Sequence, residues 1–299
     1  GGARAARRND SSFGQLWRET TAFFGRDSAQ LRLQLRRARA QVKAARMSGF
    51  TPFFVLDDLF PDSLLAAVAD EIPETTGDER GCVRDWRCFP AERGSPHKHE
   101  RAKSIQTQEH MMGPFTQLFY GILRTLGWVG FLQNAFGMDG LLPDPQLAGS
   151  GVHVTVNGGR LGLHSDFNVN PTYSLHRRLN VFVYLNEGWR EDFGGHLELW
   201  NRNVTRCGAR IRPSFGRVVA FRTSDFSFHG HPHPLTAPEG RSRRSVAMYY
   251  YTSRRPRAEC KRLNCSTLRD TIFVSVDCAN CQGPCCPQAC GSGPRGLRA

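Results

Sequence analysis

Between residues 28 and 47 the apolar positions fall at Leu31, Leu35, Ala38, Val42 and Ala45, the spacing of one helix face, and Arg, Gln and Lys dominate the remainder. Ser28 stands where an N-cap would. So narrow a stripe predicts a helix packed on a domain with its basic face in water, ahead of a membrane-surface or partner helix. Phe53-Phe54-Val55-Leu56-Asp57 predicts a strand. Residues 61–72 predict a helix with Pro61 in its first turn and Leu64, Leu65 and Val68 facing inward. Residues 115–136 carry a longer helical pattern, from Phe115, Leu118 and Phe119 to Leu132 and Phe136, broken near Gly127 and Gly130. Two helices backing a sheet would explain it.

After Pro145 the period of the apolar positions drops to two. Strands are predicted over residues 152–157, 161–165, 179–186, 196–200, 217–222 and 243–252, separated by Gly and Pro turns. Strands this short suit a double-sheet jelly roll of the cupin kind, a double-stranded β-helix. The predicted class is therefore α+β, mostly β, with helices backing one sheet. Residues 77–110, polar and charged with Gly94 and Pro96, predict a mobile surface loop or lid, and the first dozen residues predict disorder. Three parts follow: a basic N-terminal extension with one helix (1–48), a main domain (49–256) and a Cys-rich tail (257–299).

Composition narrows the function. A chain of 299 residues with 39% hydrophobic content can bury one full core, and no apolar run approaches the roughly 18 residues of a membrane span. It begins Gly1-Gly2-Ala3, as a trimmed or processed product would, so cytoplasm and secretory lumen both remain open. Lys and Arg number 40 against 27 Asp and Glu, a net charge of +13. That excess lies in three separate stretches rather than in one aromatic-studded stripe, so a solvated basic surface is expected and a dedicated nucleic-acid site is not. Of ten cysteines, Cys260, Cys265, Cys278, Cys281, Cys285, Cys286 and Cys290 crowd the tail. They admit two readings, disulfide staples or, less favoured for want of a standard ligand spacing, a small zinc knot.

The chemistry sits in the strand region. In His164-Ser165-Asp166 a period of two puts both outer side chains on one strand face. His229, in Phe228-His229-Gly230-His231-Pro232, is the best third partner. Two imidazoles and a carboxylate hold Fe(II) on one side and leave the other open to ligands. His231 and His233 compete for the role but fall in the Pro-rich turn that follows.

Several blocks in order carry a resemblance over roughly residues 52–252: Gly158 to Asn168, Arg177 to Asn186, Gly194-Gly195-His196-Leu197-Glu198-Leu199-Trp200, the His229 block, and Gly240 to Tyr251. Together they resemble the prolyl 4-hydroxylase-like branch of the 2-oxoglutarate and Fe(II) dependent dioxygenases. The resemblance implies a hydroxylase that acts on a C–H bond, most readily of a prolyl residue in a peptide or protein, and forms succinate and CO2. Its cofactors would be Fe(II), 2-oxoglutarate and O2, with ascorbate a candidate reductant. It assigns His164, Asp166 and His229 to the metal, and Arg243, in the family's Arg-x-Ser pattern with Ser245, to the distal carboxylate of 2-oxoglutarate. Period two separates Arg243 and Ser245 from Arg244, and Arg241 precedes the strand. Tyr184 matches a co-substrate contact and His153 closes another family block; Asn180 and Trp200 are weaker candidates, Trp200 for the substrate mouth. Asp166 argues against a halogenating relative, and Tyr249, six positions after Arg243, against the alkylated-base repair branch. Hydroxylation of a free amino acid or other small metabolite, or a non-catalytic cupin-type binding module, are the alternatives. The oligomeric state is left open.

Overall fold

The computed structural model describes residues 10–25, 28–73, 82–90, 99–261, 264–276 and 278–286, with side chains from residue 13 onward. Helix α1 (Asp10–Gly25) precedes α2 (Ala29–Met47), β1 (Phe53–Leu56) and α3 (Asp62–Asp70). The hairpin β2 (Arg87–Phe89) and β3 (Glu100–Gln106) follows, then α4 (Pro114–Leu123) and α5 (Leu126–Phe136). The remaining chain is strands: β4 (Leu142–Pro143), β5 (Gly151–Ser165), β6 (Val169–Asn170), β7 (Leu175–Tyr184), β8 (Leu197–Trp200), β9 (Cys207–Ile211), β10 (Val218–Arg222), β11 (His229–His231), β12 (Arg243–Thr252) and β13 (Ile272–Phe273).

The strands join in one curled sheet of order β1-β10-β7-β12-β5-β11-β8-β9. Its long member, β5, changes neighbours along its length. Residues 151–155 pair with β12, and Leu161 and His164 pair with β11. A strand shared in this way folds the sheet over on itself as a double-stranded β-helix.

Period two sorts the side chains. Val246, Met248 and Tyr250 of β12, Leu179, Val181 and Val183 of β7 and Val152 and Val154 of β5 join the main core beneath the helices. The opposite faces carry Arg243 and Ser245, Asn180 and Tyr184, and His153 and Thr155, all buried. One face stabilises the fold and the other builds a polar interior.

Helix α2 starts as its sequence predicts: Ser28 accepts a hydrogen bond from Leu31 N at 3.0 Å, and Ala38, Val42 and Ala45 are buried. Its Gln41 side chain exchanges two 2.9 Å hydrogen bonds with the backbone of Val55, so the helix is docked on β1. No helix among the described residues is long and apolar enough to cross a membrane.

Other expectations need correction. Pro61 caps α3 rather than opening its first turn. The break between α4 and α5 falls at Arg124–Thr125, with Thr125 as N-cap, and Gly127 and Gly130 lie inside α5. Gly127 packs against the backbone of Phe24, where a Cβ would approach within 2.9 Å, so that glycine serves helix packing and not a break. Of the first dozen residues, 1–9 lie outside the described part, while Asp10–Ser12 belong to α1. The segment 77–110 is not wholly a loop. Residues 74–81 and 91–98 lie outside the described residues, but β3 pairs with β5 from Glu100 to Gln106. Glu100 and Lys103 line a cavity while Ser104 accepts from Val83 N, so polar side chains occupy both faces, and this is why the strand does not read as one.

The tail packs on the sheet. Cys207–Cys285 ties it to β9, and Cys260–Cys265 and Cys281–Cys286 close small loops; Cys82–Cys88 ties the segment before β2 to that strand. Cys278 is disulfide-bonded too, and no described cysteine is free. The zinc knot is thereby corrected: sulfurs paired with each other have no thiolate to offer a metal.

Candidate active site

His164 and His229 are register partners across β5 and β11, and Asp166 follows one residue past the end of β5. The imidazole centroids lie 4.3 Å apart. His164 Nε2 is 3.5 Å from Asp166 Oδ1, and His229 Nε2 is 3.5 Å from Asp166 Oδ2. Each ring turns its Nδ1 to a backbone carbonyl, His164 to Gly162 O at 2.8 Å and His229 to Ser227 O at 3.0 Å. An Nδ1 proton committed to a carbonyl leaves Nε2 with a free lone pair, the state a metal needs. One ligand atom from each of the three buried residues falls within 4.8 Å of the others, and no other such cluster occurs among the described residues. The donor set fits Fe(II).

Burial alone would raise the Asp166 carboxyl, but Arg177, His229 and His164 outweigh it and hold it well below its usual range. Burial, set against Asp166, pulls the His229 imidazole down to about 4, so it is neutral at pH 7. The carboxylate is held from behind: Asn180 Nδ2 donates to Oδ2 at 2.9 Å and the Arg177 guanidinium lies 3.2 Å from Oδ1. Arg177 Nε donates to Asn180 Oδ1 at 2.9 Å, and its guanidinium stacks on the Tyr249 ring at 3.3 Å. Sequence reasoning singled out Asn180 and missed Arg177. A register shift between Tyr250 and Tyr251, where Arg177 pairs with Tyr251, brings it to the cavity face instead of the face of Leu179.

Arg243 enters the same cavity from β12. Its Nε donates to Gly195 O at 2.7 Å and its Nη2 to the Tyr184 hydroxyl at 3.1 Å. No carboxylate among the described residues pairs with it. Gly195, at φ +68°, makes room: a Cβ there would come within 2.9 Å of Arg243 Cδ. Ser245 is cross-strand from both His153 and Tyr184 and is fully buried, yet its hydroxyl has no hydrogen-bond partner. Thr155 Oγ1 and His231 Nδ1 are buried and unpartnered as well. A desolvated guanidinium beside orphaned donors is what a carboxylate would satisfy. Arg244 leaves by the opposite face to the carbonyl of Ala69 at 3.1 Å, and Arg241 is exposed against Glu187 O.

His153 lines the cavity, its ring held neutral first by burial and then by Lys103. His231 corrects the expectation that it falls in a turn; it ends β11 and faces the cavity. Gly230 between the two histidines lets β11 close on β5, since a Cβ would meet Leu161 O at 2.8 Å. Trp200 does not reach the mouth. It is fully buried among Leu163, Val204 and Phe228, donating to Glu198 Oε2 at 3.0 Å.

The triad and Arg243 share a cavity of about 710 Å³. Phe89 and Lys103 of the hairpin and Leu268, Arg269 and Phe273 of the tail complete its wall, none foreseen from sequence.

Residues 150–251 match the model of the 2OG-Fe(II) oxygenase superfamily, a span holding His153, His164, Asp166, Tyr184, His229, Arg243 and Ser245. The sequence matches no curated protein. Among solved structures the chain is similar to a prolyl-4-hydroxylase from Pseudomonas putida, at 16% identity and TM-score 0.48, over 72% of this chain and 98% of that one. It is also similar to a prolyl hydroxylase from Trichoplax adhaerens, solved with a hypoxia inducible factor peptide fragment, at 16% identity and TM-score 0.47, over 76% and 94%. A third is HygX from Streptomyces hygroscopicus with nickel, 2-oxoglutarate and hygromycin B bound, at 12% identity and TM-score 0.43, over 72% and 87%. The chain is thus similar to the 2OG-Fe(II) oxygenase superfamily over the strands that carry the triad and the arginine.

Proposed function

We propose that this protein is a 2-oxoglutarate and Fe(II) dependent dioxygenase that hydroxylates a C–H bond of a prolyl residue in a peptide or protein. The observation that carries this reading is the sharing of one cavity by the three-ligand cluster and the buried Arg243 guanidinium, which has no acidic partner among the described residues. Fe(II) held by His164, Asp166 and His229 would supply the redox chemistry that couples decarboxylation of 2-oxoglutarate to oxygen insertion.

This chain's residues provide orientation. Arg243 receives the distal carboxylate of 2-oxoglutarate, with Ser245 Oγ free to donate and Tyr184 OH fixing the guanidinium. His153, neutral and beside Ser245, closes that end without adding charge. Arg177 and Asn180 keep Asp166 ionised and aimed. Cavity walls of Phe89, Phe167 and Leu197 exclude water from the reacting centre.

A peptide substrate is favoured by the rim. Leu268 lines the cavity while 58% exposed, and Ile272 beside Phe273 is 37% exposed, apolar surface that a free amino acid would not need. Paired cysteines suit an oxidising compartment.

The test is anaerobic titration of metal-free protein with Fe(II) and 2-oxoglutarate, followed in the visible, beside Asp166→Ala and Arg243→Ala. A charge-transfer band that both variants weaken supports the site. Proline-containing peptides are then screened with ascorbate present for 2-oxoglutarate-dependent succinate release and gain of one oxygen. No band in folded wild-type protein sinks the reading. Turnover of free amino acids but of no peptide replaces its substrate half.

A further inference from the structure

Beyond supplying part of the cavity wall, the tail lies against the metal-site strand. Ile272 and Phe273 pair with Ser165 and His164, and Val274 N donates to Leu163 O at 2.9 Å. Asn168, two residues after Asp166, donates through Nδ2 to Thr267 O at 2.9 Å and accepts from Arg269 N at 2.9 Å. These contacts bring the Arg269 side chain beneath the triad.

Arg269 Nη2 donates to the backbone carbonyl of Asp166 at 2.6 Å and lies 3.0 Å from Asp225 Oδ1. Nη1 reaches Asp270 O at 2.9 Å and Ser165 Oγ at 3.4 Å. Asp225 is buried and also accepts from Lys261 N at 2.8 Å and pairs with Arg255 at 3.4 Å. It belongs to the turn that ends in Ser227, whose carbonyl holds His229 Nδ1. A single guanidinium therefore links the backbone that presents Asp166 to the turn that orients His229, groups that have no covalent reason to keep a fixed spacing.

We propose that Arg269 is a positioning residue of the metal centre, through which the tail sets the spacing between Asp166 and His229. The inference rests on the metal-site reading above. Arg269 touches no ligand atom; it acts through one ligand's backbone and the segment leading to the other, as outer partners of metal ligands do. Its planar fork serves two acceptors at once, which an ammonium reproduces only in part.

Co(II) titration of metal-free full-length protein tests this, read by visible ligand-field absorption and affinity, with unfolding of the metal-free form followed in parallel. Arg269→Gln should weaken Co(II) binding by about 10- to 100-fold and alter the spectrum. Arg269→Lys should recover part of both. In turnover, kcat should fall with little change in KM for 2-oxoglutarate. Asp225→Asn keeps the shape and the acceptor for Lys261 N, and carries the test if Arg269→Gln does not fold; it should change the spectrum in the same direction. Wild-type affinity and spectrum in Arg269→Gln, or in Asp225→Asn where that variant must serve, overturn the inference. If wild-type protein binds no Co(II), or Asp166→Ala binds it equally well, the metal-site reading falls and this one with it. If Asp166→Ala alone loses binding, only the role of Arg269 is overturned.

Discussion

Arg243 has its Nε and one Nη nitrogen engaged by Gly195 O and Tyr184 OH and faces no acid among the described residues, which leaves donors for the carboxylate proposed to bind there. Arg243→Ala should raise KM for 2-oxoglutarate by about a hundredfold, roughly 3 kcal/mol, the range of a lost charged hydrogen-bonded pair. Arg243→Lys should recover little, because an ammonium cannot form the bidentate pair. Initial rates against 2-oxoglutarate concentration check both. The buried histidines give a second expectation. His153 is held well below its usual 6.5 by burial, and His196 and His231 shift the same way for the same first reason. Between those lowered values and about 6.5 the unfolded chain binds protons that the folded one does not. Stability is then full above pH 6.5 and lost as pH falls below it, by up to about 1.4 kcal/mol per pH unit for each group. Denaturant midpoints of the metal-free protein between pH 8 and 5 should decline accordingly, and His153→Gln should reduce the slope. At this scale His164 and Asp166 were legible because two positions along a strand define a face by themselves. Arg177 was not, since only a register shift brings it inward, and Arg269 was not, since it meets the Asp166 backbone from 103 residues away.

Elements with one-sided patterns were read well, and those whose faces are both unusual were not. The stripe of α2 and the alternation of β12 each divide apolar from polar side chains, and in the structure they bury the predicted faces. Helix α1 carries Leu16, Phe23 and Phe24 into the core, but its short Ser- and Thr-containing sequence weakens the periodic signal. Strand β3 buries Lys103 beside Ile105 on its cavity face and Ser104 and Gln106 on the other, so both faces carry polar groups and period two has nothing to sort. The Gly194-Gly195 turn shows an element serving a side chain on another strand. Gly195→Ala would add a Cβ against Arg243 at a left-handed backbone position, costing about 1 kcal/mol or more in backbone strain. It should raise KM for 2-oxoglutarate while leaving Co(II) affinity at the wild-type value. A change in metal binding as large as that in KM would contradict this division of the cavity into two ends.

Over the whole molecule the basic charge is partly interior. Arg177, Arg178, Arg243 and Arg255 are all buried, so the net charge of +13 overstates the basicity of the surface, and a count of lysines and arginines cannot reveal this. The cysteines posed the same kind of problem: spacing admits zinc or disulfides, and only the fold brings Cys207 beside Cys285 across 78 positions. In the chain-entropy account a bridge of that span restricts the unfolded state by about 4 kcal/mol. Cys207→Ser with Cys285→Ser should lower stability by an amount of that order, and dithiothreitol should lower it in wild-type protein but little further in the double variant. Thermal unfolding with and without reductant reads both.

Because β13 pairs with β5 at Ser165 and His164, the tail also covers a row of backbone donors and acceptors on a strand already joined to β11 on its other side. Removing everything after residue 256 would uncover an open strand edge, which recruits further strands unless something blunts it. The shortened protein should leave solution as concentration-dependent aggregates, visible by light scattering, instead of persisting as a folded enzyme of lower activity. The segment that walls the cavity would then also keep one copy from sticking to the next.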